Sequence, residues 1–203
     1  MLSSKGHVYI VDDDLSASSS LCRLLNTLGY DCERYICPDE FLRNAEVISP
    51  AVLMLDVRMP KMSGVELHEK LIELGQQTPI VMISGEASNT EIIKSMKLGV
   101  VDFLLKPFDI PNLIQVLNRA LAIDNETLYQ NAETRKIKDR YDSLTKRERE
   151  ICDILLSGAL SKSIAIDLGV TSATIKFHKA KIMRKMNAKS MLELSKLVTK
   201  AKK

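Results

Sequence analysis

Short apolar runs recur through the first half of the chain, at His7–Val11, Ala51–Leu55, Ile80–Ile83 and Val101–Leu105. Most are rich in Val, Ile and Leu, the pattern of a strand covered on both faces. Asp31–Ile36 is expected to add a further short strand. Helical stripes lie between them. Leu21, Leu24, Leu25 and Leu28 share one face before Gly29; Leu67, Leu71 and Leu74 precede Gly75; Ile92, Ile93 and Met96 precede Gly99. A glycine just past the last periodic residue is a helix stop. Strands alternating with helices predict a doubly wound α/β fold with a parallel five-stranded sheet. In such sheets the chemistry gathers at the carboxyl ends of the strands, near the point where strand order switches.

The second half has no strand-like run. It reads as four short helices, Lys146–Leu156, Ser161–Leu168, Ser172–Met186 and Ser190–Lys200, with Ser143 or Thr145 capping the first. A length of 203 residues accommodates two small domains. The boundaries are expected at 1–122 for the α/β domain, 123–142 for a linker and 143–203 for an all-α domain. Leu113, Leu117, Leu121 and Leu128 lie on one stripe, so the linker is expected to be helical; a flexible tether is the alternative. Charge divides in the same way. Residues 1–125 carry 11 Lys and Arg against 17 Asp and Glu, a balance of −6; residues 126–203 carry 18 against 9, a balance of +9. The basic half is expected to meet a polyanion.

At 45% hydrophobic and 27% charged residues, the chain is not of a disordered or low-complexity class. No apolar run approaches the roughly 20 residues of a membrane span. The N-terminus lacks the apolar core of a signal peptide, so a cytoplasmic location is expected. Cys22, Cys32, Cys37 and Cys152 follow no metal spacing and are expected to be free thiols.

The strand ends carry the chemistry. Val11 is followed by Asp12, Asp13 and Asp14, Leu55 by Asp56, Ile83 by Ser84, and Leu105 by Lys106 and Pro107. In a parallel sheet these ends converge. Clustered carboxylates repel one another unless a cation neutralises them. An all-oxygen site suits Mg²⁺, which also binds phosphate oxygens. Lys106 adds a point charge for a phosphoryl group, and the Ser84 hydroxyl can sense one. Asp14, just before a helix, is expected to be a cap instead.

Val-Asp-Asp-Asp at 11–14, Leu-Asp-Val-Arg-Met-Pro at 55–60, Ser-Gly at 63–64, Ile-Ser-Gly at 83–85 and Leu-Leu-Lys-Pro-Phe at 104–108 resemble a response-regulator receiver domain, with its flavodoxin-like sheet. The resemblance spans about residues 5–122. It implies that Asp56 accepts a phosphoryl group from a sensor histidine kinase. Asp13, Asp56 and the carbonyl of Arg58 would bind Mg²⁺, with Asp12 assisting through water. Lys106 would contact the phosphoryl oxygens and Ser84 would swing toward them. Phe103 stands at the family's aromatic switch position, and Pro107 would follow a cis peptide bond. Serine at 84 replaces the commoner threonine and preserves the hydroxyl.

Ser172–Lys189 holds Lys176, Lys179, Lys181, Arg184, Lys185 and Lys189 and no acid, with Ile175, Ile182, Met183 and Met186 to bury. A short helix through Leu168, a turn at Gly169 and a fresh cap precede it, the order of a helix-turn-helix. Leu144-Thr145-Lys146-Arg147-Glu148, Gly158, Lys162, Ile164-Ala165, Thr174-Ile175-Lys176, His178, Lys185-Met186 and Lys189-Ser190 resemble the LuxR-type DNA-binding domain. The whole chain is thus similar to transcriptional response regulators of the FixJ/NarL class. The resemblance implies Lys176, Phe177 and Lys179 near base edges of a double-stranded operator, and Lys162, Thr174, Lys181 and Arg184 on phosphates. It further implies a homodimer on phosphorylation and RNA polymerase as a partner. Serine at 161 and phenylalanine at 177 depart from the family pattern, so operator preference does not carry over. A phosphotransferase or phosphatase would need a second catalytic acid and a substrate lid, which the sequence lacks; no enzymatic activity beyond self-phosphorylation and self-dephosphorylation is expected. A receiver that has lost phosphate chemistry would not keep the acidic cluster intact.

Overall fold

The computed structural model describes residues 4–86, 88–158 and 161–202, apart from the side chains of Ser161, Lys162 and Asp167. It divides into two compact units, Met1–Leu128 and Tyr129–Lys203. Among the described residues no helix is long and apolar enough to cross a membrane.

The first unit is built on strands β1 (His7–Val11), β2 (Asp31–Tyr35), β3 (Ala51–Asp56), β4 (Ile80–Ser84) and β5 (Asp102–Leu105). All pair in parallel, in the order β2-β1-β3-β4-β5. The strand order reverses between β1 and β3, so their carboxyl ends flank the crevice where such folds bind ligands. Helices α1 (Leu15–Thr27), α2 (Pro38–Asn44), α3 (Gly64–Glu73), α4 (Asn89–Lys97) and α5 (Ile110–Asp142) complete the alternation.

The period-2 alternation of the strands sorts the core into two layers. Val8, Ile10, Val52, Met54, Val81 and Ile83 pack with Leu25 of α1 and Leu113, Leu117 and Leu121 of α5. Tyr9, Val11, Leu53, Leu55 and Met82 pack on the other face with Phe41 of α2 and Leu67 and Leu71 of α3. Three expected stripes differ in burial. Leu74 and Leu128 are exposed, and on α4 Ile93 and Met96 are exposed whereas Ser95 is buried. Periodicity identified the α4 helix but not the face it buries.

The second unit contains α6 (Lys146–Leu156), α7 (Ser161–Asp167), α8 (Ser172–Met186) and α9 (Met191–Ala201). Their core is Ile151, Cys152, Ile164, Ile175, Ile182, Met186 and Leu194, with Leu144 before α6. Thr145, not Ser143, caps α6. Its side chain accepts from the Glu148 N–H, and the Glu148 carboxylate accepts from the Thr145 N–H, a capping box. Thr171 caps α8, and Asn187 ends it in the left-handed conformation.

Candidate functional site

The parallel register brings the strand ends together. Val11 pairs with Leu55, Asp56 with Ile83, and Ser84 with Leu105, so Asp12, Asp56, Ser84 and Lys106 share one edge. Asp12 and Asp56 are buried, and the Lys106 ammonium bridges them, donating to Asp12 Oδ2 at 2.7 Å and to Asp56 Oδ1 at 2.8 Å. The other Asp56 oxygen, Oδ2, accepts from the Arg58 N–H at 2.8 Å. Asp12 Oδ1 accepts from the Asp14 N–H at 2.9 Å.

Asp56 lies above the ordinary carboxylate range. Burial raises it, the hydrogen bonds from Lys106 and Arg58 pull it back, and the Asp12 charge raises it again. Burial works against the charge on Lys106, but hydrogen bonds and Coulomb attraction from the two carboxylates prevail and hold the ammonium above its usual value.

The start of α3 is pressed against the same strand end. A Cβ at Gly64 would collide with the Asp56 carbonyl oxygen, so only glycine allows this approach. Ser63 then caps α3 in a capping box with Glu66. Asp14 caps α1, accepting from the N–H groups of Ser16 and Ala17. Ser84 is buried, and its hydroxyl donates to the Glu86 carbonyl at 2.6 Å while accepting from the Glu86 N–H at 3.2 Å. Phe103 is partly buried against the sheet layer containing Met82. The Lys106–Pro107 bond is cis.

Asp13 is exposed and borders a separate cavity of about 110 Å³ with Cys37 and Pro60. Among the described residues no three His, Cys, Asp or Glu side chains are already grouped to hold a metal. The donor chemistry nevertheless fits Mg²⁺. Two buried carboxylates stand at the edge beside the Arg58 backbone, all are hard oxygen donors, and exposed Asp13 is free to turn on a nanosecond timescale.

In the second unit, α8 presents Lys176, Phe177 and Arg184 to solvent, with Thr174, Lys179 and Lys181 half-buried. Phe177 is 65% exposed, its ring set edge-on to His178 at 5.9 Å. Thr174 is tied into the cap through its N–H and hydroxyl, both within reach of Thr171 Oγ1. The Lys162 side chain lies outside the described residues. Glu148 stands in the Leu144–Glu148 motif, but its role is not legible from the sequence. It is 1% exposed and meets Lys185 at 2.6 Å and Lys181 at 3.2 Å. Lys181 and Lys185 thereby fasten α8 to the start of α6. The pairing joins positions 37 residues apart, which no local pattern reveals.

Residues 8–118 match the response regulator receiver domain family, and residues 142–198 match the bacterial regulatory proteins of the luxR family. The chain is 34% identical over 195 residues to the response regulator protein TmoT of Ectopseudomonas mendocina, across 96% of this chain and 89% of TmoT. It is 32% identical over 200 residues to the transcriptional regulatory protein FixJ of Bradyrhizobium diazoefficiens, across 98% of each. The solved structure of the response regulator StyR superposes with a TM-score of 0.82 at 34% identity, over 96% of this chain and 98% of that one. With its all-parallel receiver sheet and its helical C-terminal unit, the chain belongs to the two-component response regulators that join a receiver to a LuxR-family DNA-binding domain.

Proposed function

We propose that a sensor histidine kinase phosphorylates Asp56, and that this gates homodimerisation and sequence-specific DNA binding to regulate transcription. The observation that carries the reading is the Lys106 ammonium seated between buried Asp12 and Asp56, with the Ser84 hydroxyl on the neighbouring strand end. Residues 1–122 act as the receiver, 123–142 as the connecting segment within α5, and 143–203 as the DNA-binding domain.

An Asp56 oxygen attacks the phosphorus of a phosphohistidine in line. The new O–P bond forms as the P–N bond breaks, and the imidazole leaves with the electron pair. Lys106 turns from the carboxylates to the transferring oxygens and stabilises their charge. Mg²⁺ held by Asp13, Asp56 and the Arg58 carbonyl, with Asp12 assisting, would supply further charge neutralisation there. The only turnover is the protein's own phosphorylation and the later hydrolysis of that acyl phosphate.

The phosphoryl group then offers the Ser84 hydroxyl a charged acceptor in place of the neutral Glu86 carbonyl, and charge-assisted hydrogen bonds are the stronger kind. Ser84 turns inward, the chain from 84 to 86 follows, and Phe103 rotates into the space released. That biases a two-state element whose readout is a receiver dimer. Ser84→Ala is expected to accept phosphate normally, yet to show less than about twofold gain in DNA affinity on phosphorylation. Parallel mass and binding measurements check this.

For DNA, Lys176, Phe177 and Lys179 face base edges, and Lys162, Thr174 and Arg184 meet phosphates. Lys181 is committed to Glu148, so we assign it to holding α8 rather than to the backbone contact expected from sequence. A dimer makes the second half-site encounter effectively intramolecular. Bound at an operator in the cytoplasm, the dimer meets RNA polymerase. Lys176→Ala is expected to weaken operator binding by about 1–3 kcal/mol, with the loss concentrated on one or two base positions. A uniform loss across unrelated sequences would make Lys176 a phosphate contact instead.

A further inference from the structure

The open side of α8 carries an aromatic ring. Ala173, Lys176, Phe177, Ala180 and Arg184 are exposed along one stripe at helical spacing, opposite buried Ile175, Ile182 and Met186. Among the described residues, Phe177 takes no part in the packed core of the second unit, and it is 65% exposed. Its neighbours on the helix surface are the residues three and four positions away. Ala173 and Ala180 have no side chain beyond Cβ. Thr174 is drawn into the cap by Thr171 Oγ1, and Lys181 is turned to Glu148. None of the four covers the ring. A single exposed apolar residue is ordinary on a protein surface. What sets Phe177 apart is its place on a helix that holds Lys176, Lys179 and Arg184 and no acid from Ser172 to Lys189, a charge that fits the phosphates lining a DNA groove.

The chemistry of the groove selects what such a ring can meet. In the major groove the edges of guanine, cytosine and adenine present hydrogen-bond donors and acceptors, and thymine alone adds a carbon substituent, its 5-methyl group. A phenyl ring has no donor or acceptor of its own. Seated on a polar edge it would strip water from that edge and return no hydrogen bond, which is costly. Seated on a methyl it buries apolar surface on both partners, which is favourable.

We infer that Phe177 is a specificity-determining residue that selects thymine by packing its ring on the 5-methyl group in the major groove. The inference rests on the DNA-binding reading above and adds to it the base that this position of α8 demands.

Operator fragments selected in vitro with the phosphorylated full chain are remade with deoxyuridine in place of thymidine, one position at a time. Their affinities are then measured by fluorescence anisotropy at fixed salt. Uracil differs from thymine only in lacking the methyl. In each half-site one position is expected at which uracil weakens binding by about three- to fivefold, the scale of one buried methyl. Cytosine at that position should cost more, and 5-methylcytosine should regain about the same three- to fivefold over cytosine. Phe177→Ala should bind the thymine and uracil operators alike, whereas Lys176→Ala should keep the difference between them. Phe177→Ala should melt with the unmodified chain, because the side chain lies outside the core. Equal affinity for thymine and uracil at every position, or a difference that Phe177→Ala retains, would overturn the inference and leave sequence-specific binding intact. A selection that enriches no sequence would contradict the DNA-binding reading and the inference with it.

Discussion

Asp56→Asn takes up no phosphoryl group. Incubated with acetyl phosphate and Mg²⁺, the unmodified chain is expected to gain about 80 Da in intact mass, one phosphoryl group, and the variant nothing. The amide is close in size to the carboxylate, so the strand end and the approach of Gly64 survive. It is not a nucleophile at neutral pH, and neither neighbouring carboxylate stands in its place. Asp12 is held by Lys106 and the Asp14 N–H, and Asp13 is exposed on the cavity with Cys37 and Pro60. The loss should be complete rather than partial. Omitting Mg²⁺ should reduce uptake in the unmodified chain in the same assay. A variant that still gained the mass would place the acceptor elsewhere and dissolve the reading built on this edge.

The second large effect is expected far from that edge. Glu148→Leu removes the one buried acid on which Lys181 and Lys185 converge, and with it the capping box of α6. Breaking a buried ion pair costs about 3–5 kcal/mol, because the remaining charge loses its partner. Here both lysines are partly exposed and can turn to water, so the lower end, about 3 kcal/mol, is expected. Amide hydrogen exchange in α8 should speed up by about a hundredfold, at 1.4 kcal/mol for each factor of ten. Exchange in β1, β3 and β4 should not change. Operator binding should fall with the exchange protection, since the side chains that meet DNA sit on the loosened helix.

The same contact fixes a pH dependence. Burial raises the Glu148 carboxyl, but hydrogen bonds from Lys185, the Thr145 N–H and Lys181 outweigh it and hold the group at about 2, below the ordinary value of 4.5. A carboxyl depressed in the folded state stabilises the fold above its unfolded value, and that stability is lost as pH falls toward the folded one. The second unit should therefore loosen between about pH 4.5 and pH 2, and Glu148→Leu should flatten that stretch of the profile. An unchanged acid profile in the variant would show that other carboxyls control it.

Much of the receiver was legible because its signals are local. Short, mostly apolar runs marked all but one of the strands, and glycines 29, 75 and 99, each with positive φ, marked the helix stops. Helix α2 was missed. It has only seven residues, too few for a hydrophobic stripe, and its N-cap Cys37 makes no side-chain capping bond. Pro38 in the first turn, Asp39 and Glu40 after it and Arg43 in the last turn were the available signals. The strand-end carboxylates were readable because parallel pairing guarantees that strand ends meet. That Lys106 bridges two of them while Asp13 stays apart was not, since it depends on where side chains 94 residues apart come to rest. The same holds for Glu148 with its lysines.

The claim that phosphorylation of Asp56 gates DNA binding is tested most directly by one comparison. Operator fragments are selected in vitro with the phosphorylated chain, and their affinity is measured at fixed salt for the phosphorylated and unphosphorylated forms, with the mass of each form in solution read alongside. A dimer and at least tenfold tighter binding are expected for the phosphorylated form, with neither change in Asp56→Asn. Equal affinity and equal mass in a fully phosphorylated sample would contradict it.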